Sequence, residues 1–450
     1  MTRAAYLASN DSPQGGSPFK LFDKWGKGIL GSGHTACGGL MSAVAILAYS
    51  GGLDTTLSLK KLINDGFDVI TVTINIGDER NWEEIRQKAL SQGAREALVF
   101  DLRQEFADDF IAHSLRGGVL YDDKYPLTTA LGRPLMAKKL AEVALDKSAR
   151  TVAHGCSGKG NDQLRFEHTV KYLYPRVNVA APIREGQVKR SLSKSYQESL
   201  NAQEPGSLGV YSIDENIWGR SIECGVLEDA WEEPPEEIYK LTNPVSKAPE
   251  KGVDMEIEFV KGLPAALNGM PYSFLEIIEM LNKTGGLHGV GRIDMIENRV
   301  VGIKSREIYE APAAVILHTA HSELESLTLS KSQIRLKRIV SGEYADLIYQ
   351  GFWYTSMHKD ILTYVRSTQS AVSGKVKIRV QKGHVSVLGR QSDFSLYDRD
   401  IASYEKFDGF DSDTAVGFIQ LHGLESSVQI RKQKELIFNS TKDFRRISWV

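Results

Sequence analysis

One stretch constrains this chain more than any other: a short apolar run, Ala43 to Ala48, followed directly by Ser50-Gly51-Gly52-Leu53-Asp54-Thr55-Thr56. A continuous apolar run without alternation reads as a strand covered on both faces. After the glycine pair the period becomes helical, through Leu53, Leu57, Leu59, Leu62 and Ile63, and Gly66 stops it. The alternation then repeats. Asp68 to Ile74 is a second β-branched run, Trp82 to Gly93 is helical, and Ala97 to Leu102 is a third strand. Arg103 to Leu115 and Arg133 to Lys147 read as helices, and Thr151 to Ala153 and Val177 to Ala180 as further strands. This rhythm requires crossover connections. The expected class is α/β, with an open, doubly wound parallel sheet that binds a nucleotide at its carboxyl edge.

The loop at 50–56 carries the first chemistry. Its two glycines let the backbone take positive φ and turn several N–H groups toward one point. The helix that follows adds partial positive charge at its N-terminus. A phosphate or pyrophosphate is expected there, with the hydroxyls of Ser50, Thr55 and Thr56 as further donors. Asp54 is an anion inside an anion site. It reads either as a holder of Mg2+ between phosphates or, more plainly, as a helix cap. The Lys-Ser/Thr pair of a Walker A loop is missing, which disfavours γ-phosphate transfer and leaves ATP cleavage with loss of pyrophosphate.

A second loop, His154 to Arg165 (H-G-C-S-G-K-G-N-D-Q-L-R), also follows a short strand, so both loops should emerge at one sheet edge. Lys159 can balance phosphate charge, and Arg165 can grip an anion with two parallel bonds. Asn161 and Asp162 suit an ammonium or an amide. His154 offers a general base, but a satisfied core histidine is the better reading because the sequence shows no partner for it. Cys156, with no Cys-His-acid arrangement around it, reads as a small packing residue.

Beyond residue 184 the rhythm breaks. Residues 184–211 are polar and irregular, and Trp231 to Gly252 carries four prolines among many acids. Met255 to Phe259 alternates as a strand, Ser273 to Asn282 is helical, and Arg292 to Ile303 resembles a hairpin. Long helices are expected near 312–328 and 343–370, then strands at Lys375 to Val380 and His384 to Leu388. These mixed elements form a second, α+β domain. The last stretch spaces Leu424, Val428, Ile430, Leu436 and Ile437 on a charged background, as an amphipathic arm used between subunits or as a frayed tail. The expected division is therefore 1–40, a glycine-rich extension without a packed core; 41–208, the nucleotide domain; 209–405, the α+β domain; and 406–450, the C-terminal helical arm. Gly31-Ser32-Gly33-His34 in the extension has no buried strand before it and is not read as a phosphate loop.

Composition narrows the partners. Lys and Arg total 55 against 57 Asp and Glu, a balance that speaks against a nucleic-acid surface. The three cysteines, Cys37, Cys156 and Cys224, are far apart and odd in number, so they draw neither a disulfide framework nor a metal pair, and a reducing cytoplasm fits. No apolar run approaches the roughly 18–20 residues of a membrane span.

At this point the motifs resemble a family. A-Y-S-G-G-L-D-T, H-G-C-S-G-K-G-N-D-Q-L-R-F-E, Tyr211 to Glu228, H-G-V-G-R-I-D-M-I-E-N-R from His288 and Lys304-Ser305-Arg306 are similar, in order, to the argininosuccinate synthases. The resemblance runs from about Met41 to about residue 425. It implies ligation of citrulline and aspartate through a citrullyl-adenylate, with ATP and Mg2+ used and AMP and pyrophosphate released. It also implies an ATP site at Ala48, Tyr49, Ser50, Gly51, Gly52, Leu53, Asp54, Thr55, Thr56, Ile74 and Gly155, with Asp54, Lys159 and Asp162 closest to the chemistry. Citrulline would meet Tyr125, Thr129, Asn161, Arg165, Ser212, Ser221, Glu297 and Tyr309, and aspartate Ser157, Asn161 and Asp162. A homotetramer with the C-terminal arm crossing between subunits is the implied assembly. Several positions depart from many relatives: Ser157 stands for a threonine, Ala130 for a serine, and Ile74 and Asp78 differ near the adenine.

The rival readings are weaker. An amidotransferase-type synthetase needs a glutamine-hydrolysing domain, and a tRNA-modifying enzyme usually shows basic bias or cysteine pairs. A silent nucleotide-binding scaffold of the same fold would be expected to lose Asp54, Lys159 or Arg165, and all three are present.

Overall fold

Strand β1 (Val44–Ala48) lies at the centre of a five-stranded sheet, with β2 (Asp68–Asn75), β3 (Glu96–Asp101), β4 (Thr151–Ala153) and β5 (Asn178–Ala180) in the order β3-β2-β1-β4-β5. Every pairing in it is parallel. The structure, a computed structural model, describes residues 43–158, 160–186, 211–404 and 413–439. The extension expected at 1–40 and Lys159 lie outside the described residues.

The apolar run of β1 is explained by its two faces. Ile46 enters the larger core with Ile70, Val72, Ile74 and Val152, while Leu47 enters a smaller one with Leu59, Leu62, Val69 and Ala153. Helices α1 (Leu53–Asn64) and α2 (Trp82–Ser91) cover the smaller core. The other face is covered by α3 (103–117), α4 (Thr128–Asp146) and α5 (Asp162–Leu173). Helix α3 has three consecutive pieces, Arg103–Glu105, a π-helical stretch Phe106–Ile111 and Ala112–Gly117.

Helix α4 begins at Thr128 rather than at Arg133 and continues through Pro134. Leu127, at φ 60°, turns the chain into it, and the Tyr125 hydroxyl accepts the Thr129 N–H at 3.0 Å, so the start is set by tertiary contact.

The rest of the chain adds two antiparallel sheets. One has the order β11-β12-β7-β6, from β6 (Ser212–Asn216), β7 (Gly219–Glu223), β11 (Arg292–Asn298) and β12 (Lys304–Glu310). The hairpin expected at 292–303 is thus longer, with residues 299–303 as its turn. The other sheet is β10-β9-β8-β13-β14, from β8 (Val253–Val260), β9 (Leu263–Leu267), β10 (Met270–Pro271), β13 (Gly374–Gln381) and β14 (His384–Gln391). Four more helices belong to this part of the chain: α6 (Phe274–Leu287) and α7 (Pro312–Thr328) pack on each other and on the second of these sheets, while α8 (Lys331–Tyr349) and α9 (Ser356–Thr368) pack on each other and on α3, and α8 also on α4.

The single helix expected over 343–370 is two. Helix α8 ends at Tyr349, and Gly351, at φ +80°, ends that rod before α9 begins at Ser356. After them come α10 (Asp413–His422), none of whose residues is buried, and α11 (Leu424–Asn439). Val416, Phe418, Ile419, Leu421, Leu424 and Leu436 in this arm are all exposed.

Candidate functional site

In a sheet of order 3-2-1-4-5 the chain winds away from the centre in both directions, and the crevice opens between β1 and β4. The two glycine loops leave the carboxyl ends of those two strands. Gly51 stands at φ +77°, a conformation L side chains avoid. Its carbonyl accepts Lys88 Nζ at 2.8 Å, and the Ser50 carbonyl accepts Arg80 Nη1 at 2.9 Å. Helix α1 is capped by the Gly52 backbone with no side-chain cap bond, which leaves first-turn N–H groups available to an anion. Asp54 lies in that first turn rather than at the cap position, so the helix-cap reading of this residue does not hold.

The hydroxyls divide. Ser50 Oγ and Thr55 Oγ1 lie 3.2 Å apart in the exposed part of the loop. Thr56 is buried: its hydroxyl donates to the Gly52 carbonyl at 2.8 Å and lies 3.1 Å from the Tyr49 hydroxyl. Thr56 therefore holds the turn closed from below. Ala48 ends β1, Leu53 opens α1, and Ile74 sits in β2 opposite Phe100 with its side chain in the core.

Gly155 ties the loops together. A Cβ there would stand 3.0 Å from Thr55 Cγ2 and 3.3 Å from the Thr55 nitrogen, so a side chain would crowd Thr55 where the glycine lets the second loop lie close against the start of α1. Beyond it, Gln163 Nε2 donates to the Gly158 and Gly160 carbonyls at 2.9 and 3.0 Å and shapes the turn. Ser157 is half-buried in that turn. His154 is buried, its Nδ1 accepting the Cys156 N–H at 3.3 Å and its Nε2 lying 3.4 Å from Glu167 Oε1, the partner the sequence did not reveal. Burial pushes the Cys156 thiol far up, which makes it a packing group and not a nucleophile.

Asp162, the first residue of α5, is the hinge of an ion cluster. Its Oδ1 accepts Arg165 Nη1 and its Oδ2 accepts Arg133 Nε, both at 2.8 Å, and Arg133 also pairs with Asp214 on β6. Burial raises the Asp162 pKa, but the two guanidinium groups outweigh it and hold the carboxyl below its ordinary value. Arg133 was not among the residues expected from sequence. It joins α4, α5 and β6 at one point.

The antiparallel sheet supplies the opposite wall. Register places Tyr309 opposite Ser221, and Ser221 opposite Asp214. Glu297 shares the parity of Ile293, which faces Tyr309 across the β11–β12 pair, so period two brings Ser212, Asp214, Ser221, Glu297 and Tyr309 to one face. Glu297 is 4% exposed and accepts a hydrogen bond from Tyr309 on Oε2 and from Tyr349 on Oε1. Tyr125 stacks on Tyr309 at 4.1 Å, and Thr129 Oγ1 lies 3.1 Å from Ser221 Oγ. Burial first, then nearby negative charge, raises the Tyr309 phenol well above its usual value, so it stays a donor.

Asn161 links the walls. Its Oδ1 accepts the Val300 N–H at 3.0 Å and its Nδ2 donates to the Tyr349 hydroxyl at 2.7 Å. Of the expected substrate residues, Tyr125, Thr129, Asn161, Asp162, Arg165, Ser221, Glu297 and Tyr309 are joined by these contacts, while Ser212 stands exposed at the start of β6 on the same face. Tyr121, Arg133, Asp214 and Tyr349 complete the set and were missed. Arg133 could have been found, since it is the charged residue in the otherwise apolar run Ala130 to Ala137.

An anion cradle without the lysine–hydroxyl pair of γ-phosphate transfer, opening onto paired acids, arginines and phenols, is the equipment of a nucleotide-using ligase. Comparison with known proteins gives the particular kind. The model of the arginosuccinate synthase N-terminal HUP domain matches residues 44–202, and that of the arginosuccinate synthase C-terminal domain matches residues 211–429. The argininosuccinate synthase of Dehalococcoides mccartyi is 47% identical over 395 residues, covering 87% of this chain and 97% of that protein. Those of Halalkalibacterium halodurans and Bacillus subtilis strain 168 are each 46% identical, covering 87% of this chain and 96% and 98% of theirs. The chain belongs to the argininosuccinate synthase family. It is an ATP-using ligase of arginine biosynthesis, and the silent-scaffold reading falls.

Proposed function

We propose that this enzyme joins citrulline to aspartate through a citrullyl-adenylate, releasing AMP and pyrophosphate. The observation that carries this reading is the Asn161 amide, which makes the second loop of the parallel sheet and the polar face of the antiparallel sheet one continuous site. Its Asp162 side suits the ammonium of aspartate, and its Glu297 side suits the amino-acid end of citrulline. ATP would lie in the 50–56 loop with its triphosphate on the first turn of α1, flanked by Gly155. Lys159, by its place in the second loop, would offset phosphate charge.

The ureido oxygen of citrulline is a poor leaving group. It attacks the α-phosphorus, the bond to the β,γ-phosphates breaks, and pyrophosphate departs. The aspartate amine then attacks the activated ureido carbon, the C–O bond breaks, and AMP leaves with the oxygen. No covalent enzyme intermediate is needed, so the protein's task is to position three ligands and stabilise developing charge.

Asp54 would hold a magnesium ion: one half-buried carboxylate in the first turn of the helix that follows the glycine loop suits a hard cation that keeps most of its shell as phosphate and water. Bound there, the ion would neutralise phosphate charge. Changing Asp54→Ala should abolish turnover and leave the thermal melt unchanged; near-normal turnover would leave Asp54 only a first-turn electrostatic part.

Pyrophosphate release should require ATP, citrulline and aspartate together. Equal release without citrulline would overturn the substrate assignment. The exposed apolar residues of α10 and α11 support a homotetramer in which the arm is covered by another copy of the chain, and a cytoplasmic setting accords with this biosynthetic role.

A further inference from the structure

We infer that Tyr349 is a positioning residue that couples the citrulline and aspartate subsites, an inference that rests on the reading of the site given above. Tyr349 is the last residue of α8 and is 1% exposed. Its phenol oxygen does two things at once: it accepts from Asn161 Nδ2 at 2.7 Å and donates to Glu297 Oε1. Its backbone carbonyl accepts Arg165 Nε at 2.8 Å, and the Arg165 guanidinium carbon lies 4.8 Å from the ring centroid. The far side of the ring stacks on Tyr121 at 3.8 Å and 4°, and the Tyr121 hydroxyl donates to the carbonyl of Asn298, the residue after Glu297.

One side chain therefore sets the orientation of three groups that face substrate. A phenol is the only common buried side chain that is rigid, planar and able both to donate and to accept through one atom. The Asn161 amide cannot turn over, because the Val300 N–H requires its oxygen and the Tyr349 oxygen takes its N–H. Glu297 cannot swing, because both its oxygens are engaged by phenols. On that reading Asn161 meets both aspartate and citrulline and Glu297 meets citrulline, so a loss at Tyr349 reaches both substrates.

The test is Tyr349→Phe, which keeps the ring, the stack and the carbonyl and removes only the O–H. The Asn161 N–H and the Glu297 oxygen are then left without their partner. KM for citrulline and KM for aspartate should each rise about tenfold or more, while KM for ATP changes by less than about twofold. Tyr344→Phe is the control: it removes a buried hydroxyl from the same helix, one that lies 2.9 Å from His358 Nε2 and away from the site. That variant should lower the melting temperature and leave both KM values in place. The inference is overturned if Tyr349→Phe moves only one of the two KM values, if KM for ATP rises in parallel, or if Tyr344→Phe produces the same pattern. A wild-type enzyme that turned over without citrulline would fail the substrate assignment instead, so the two failures are told apart.

Discussion

Asp162→Asn should be the most damaging single-atom change in this enzyme. The carboxylate is shared by Arg133 and Arg165, and both guanidinium groups sit in the protein interior. An amide can satisfy one of them at most and neutralises neither. Arg133 keeps Asp214, but Arg165 loses its carboxylate; breaking a fully buried ion pair from one side costs about 3–5 kcal/mol, and the partial exposure of Asp162 puts this loss at the lower end. Turnover should fall by roughly 100-fold or more if Arg165 and Asp162 hold the substrates as proposed above. The sign with pH follows from the lowered pKa of Asp162. Its contribution to stability is fully present above the unfolded carboxylate value, about 3.9, and is lost as pH falls through the lower folded value. Urea unfolding as a function of pH, with pyrophosphate release alongside, measures both; a variant with wild-type stability and turnover would mean the cluster is ornamental.

Gly351→Ala should be the second. The position holds φ +80°, and a Cβ there would lie 2.7 Å from the Cα of Arg165 and 3.2 Å from its Cγ. The left-handed backbone alone costs an L residue roughly 1–2 kcal/mol. The contact is with backbone and cannot be relieved by a side-chain rotation. Either α5 moves, carrying Arg165 away from the Tyr349 carbonyl and Asp162 away from Arg133, or the chain between α8 and α9 shifts. We expect a loss of about 2–4 kcal/mol in stability, in the range of overpacking plus backbone strain, and a rise in KM for citrulline of at least about tenfold. If stability falls and KM for citrulline does not, Arg165 is not displaced and the coupling between that glycine and the site is absent.

The nucleotide half was legible because its signals are local. A both-faces-buried strand, a glycine turn and a helix occur within a dozen or so residues, and each link is a matter of period and punctuation. Gly155, Asn161, Asp162 and Arg165 could be found for the same reason, standing in one loop and the first turn of the helix that follows it. What escaped acts only through distant neighbours. Tyr349 looks like any aromatic on an amphipathic helix until Asn161 and Glu297 are beside it. The break after it was missed because Leu347, Ile348, Phe352 and Trp353 carry an apolar pattern straight across Gly351. Asp54 was weighed as a cap, yet the Gly52 backbone takes that position.

The shared face of β6, β7, β11 and β12 has a consequence for how such a chain can change length. Adding or deleting one residue inside any of these strands would turn Glu297, Tyr309, Ser221 or Asp214 to the opposite side and empty its place. The bends offer little more room. The one after β6 is fastened by the Ile217 N–H to the Ile76 carbonyl and by Trp218 Nε1 to the Pro126 carbonyl, each at 2.9 Å. The one after β11 is fastened by the Val300 N–H to Asn161 and closed by the Gly302 N–H to the Arg299 carbonyl at 2.9 Å. In this half of the protein, heredity can exchange letters far more easily than it can change the spacing between them.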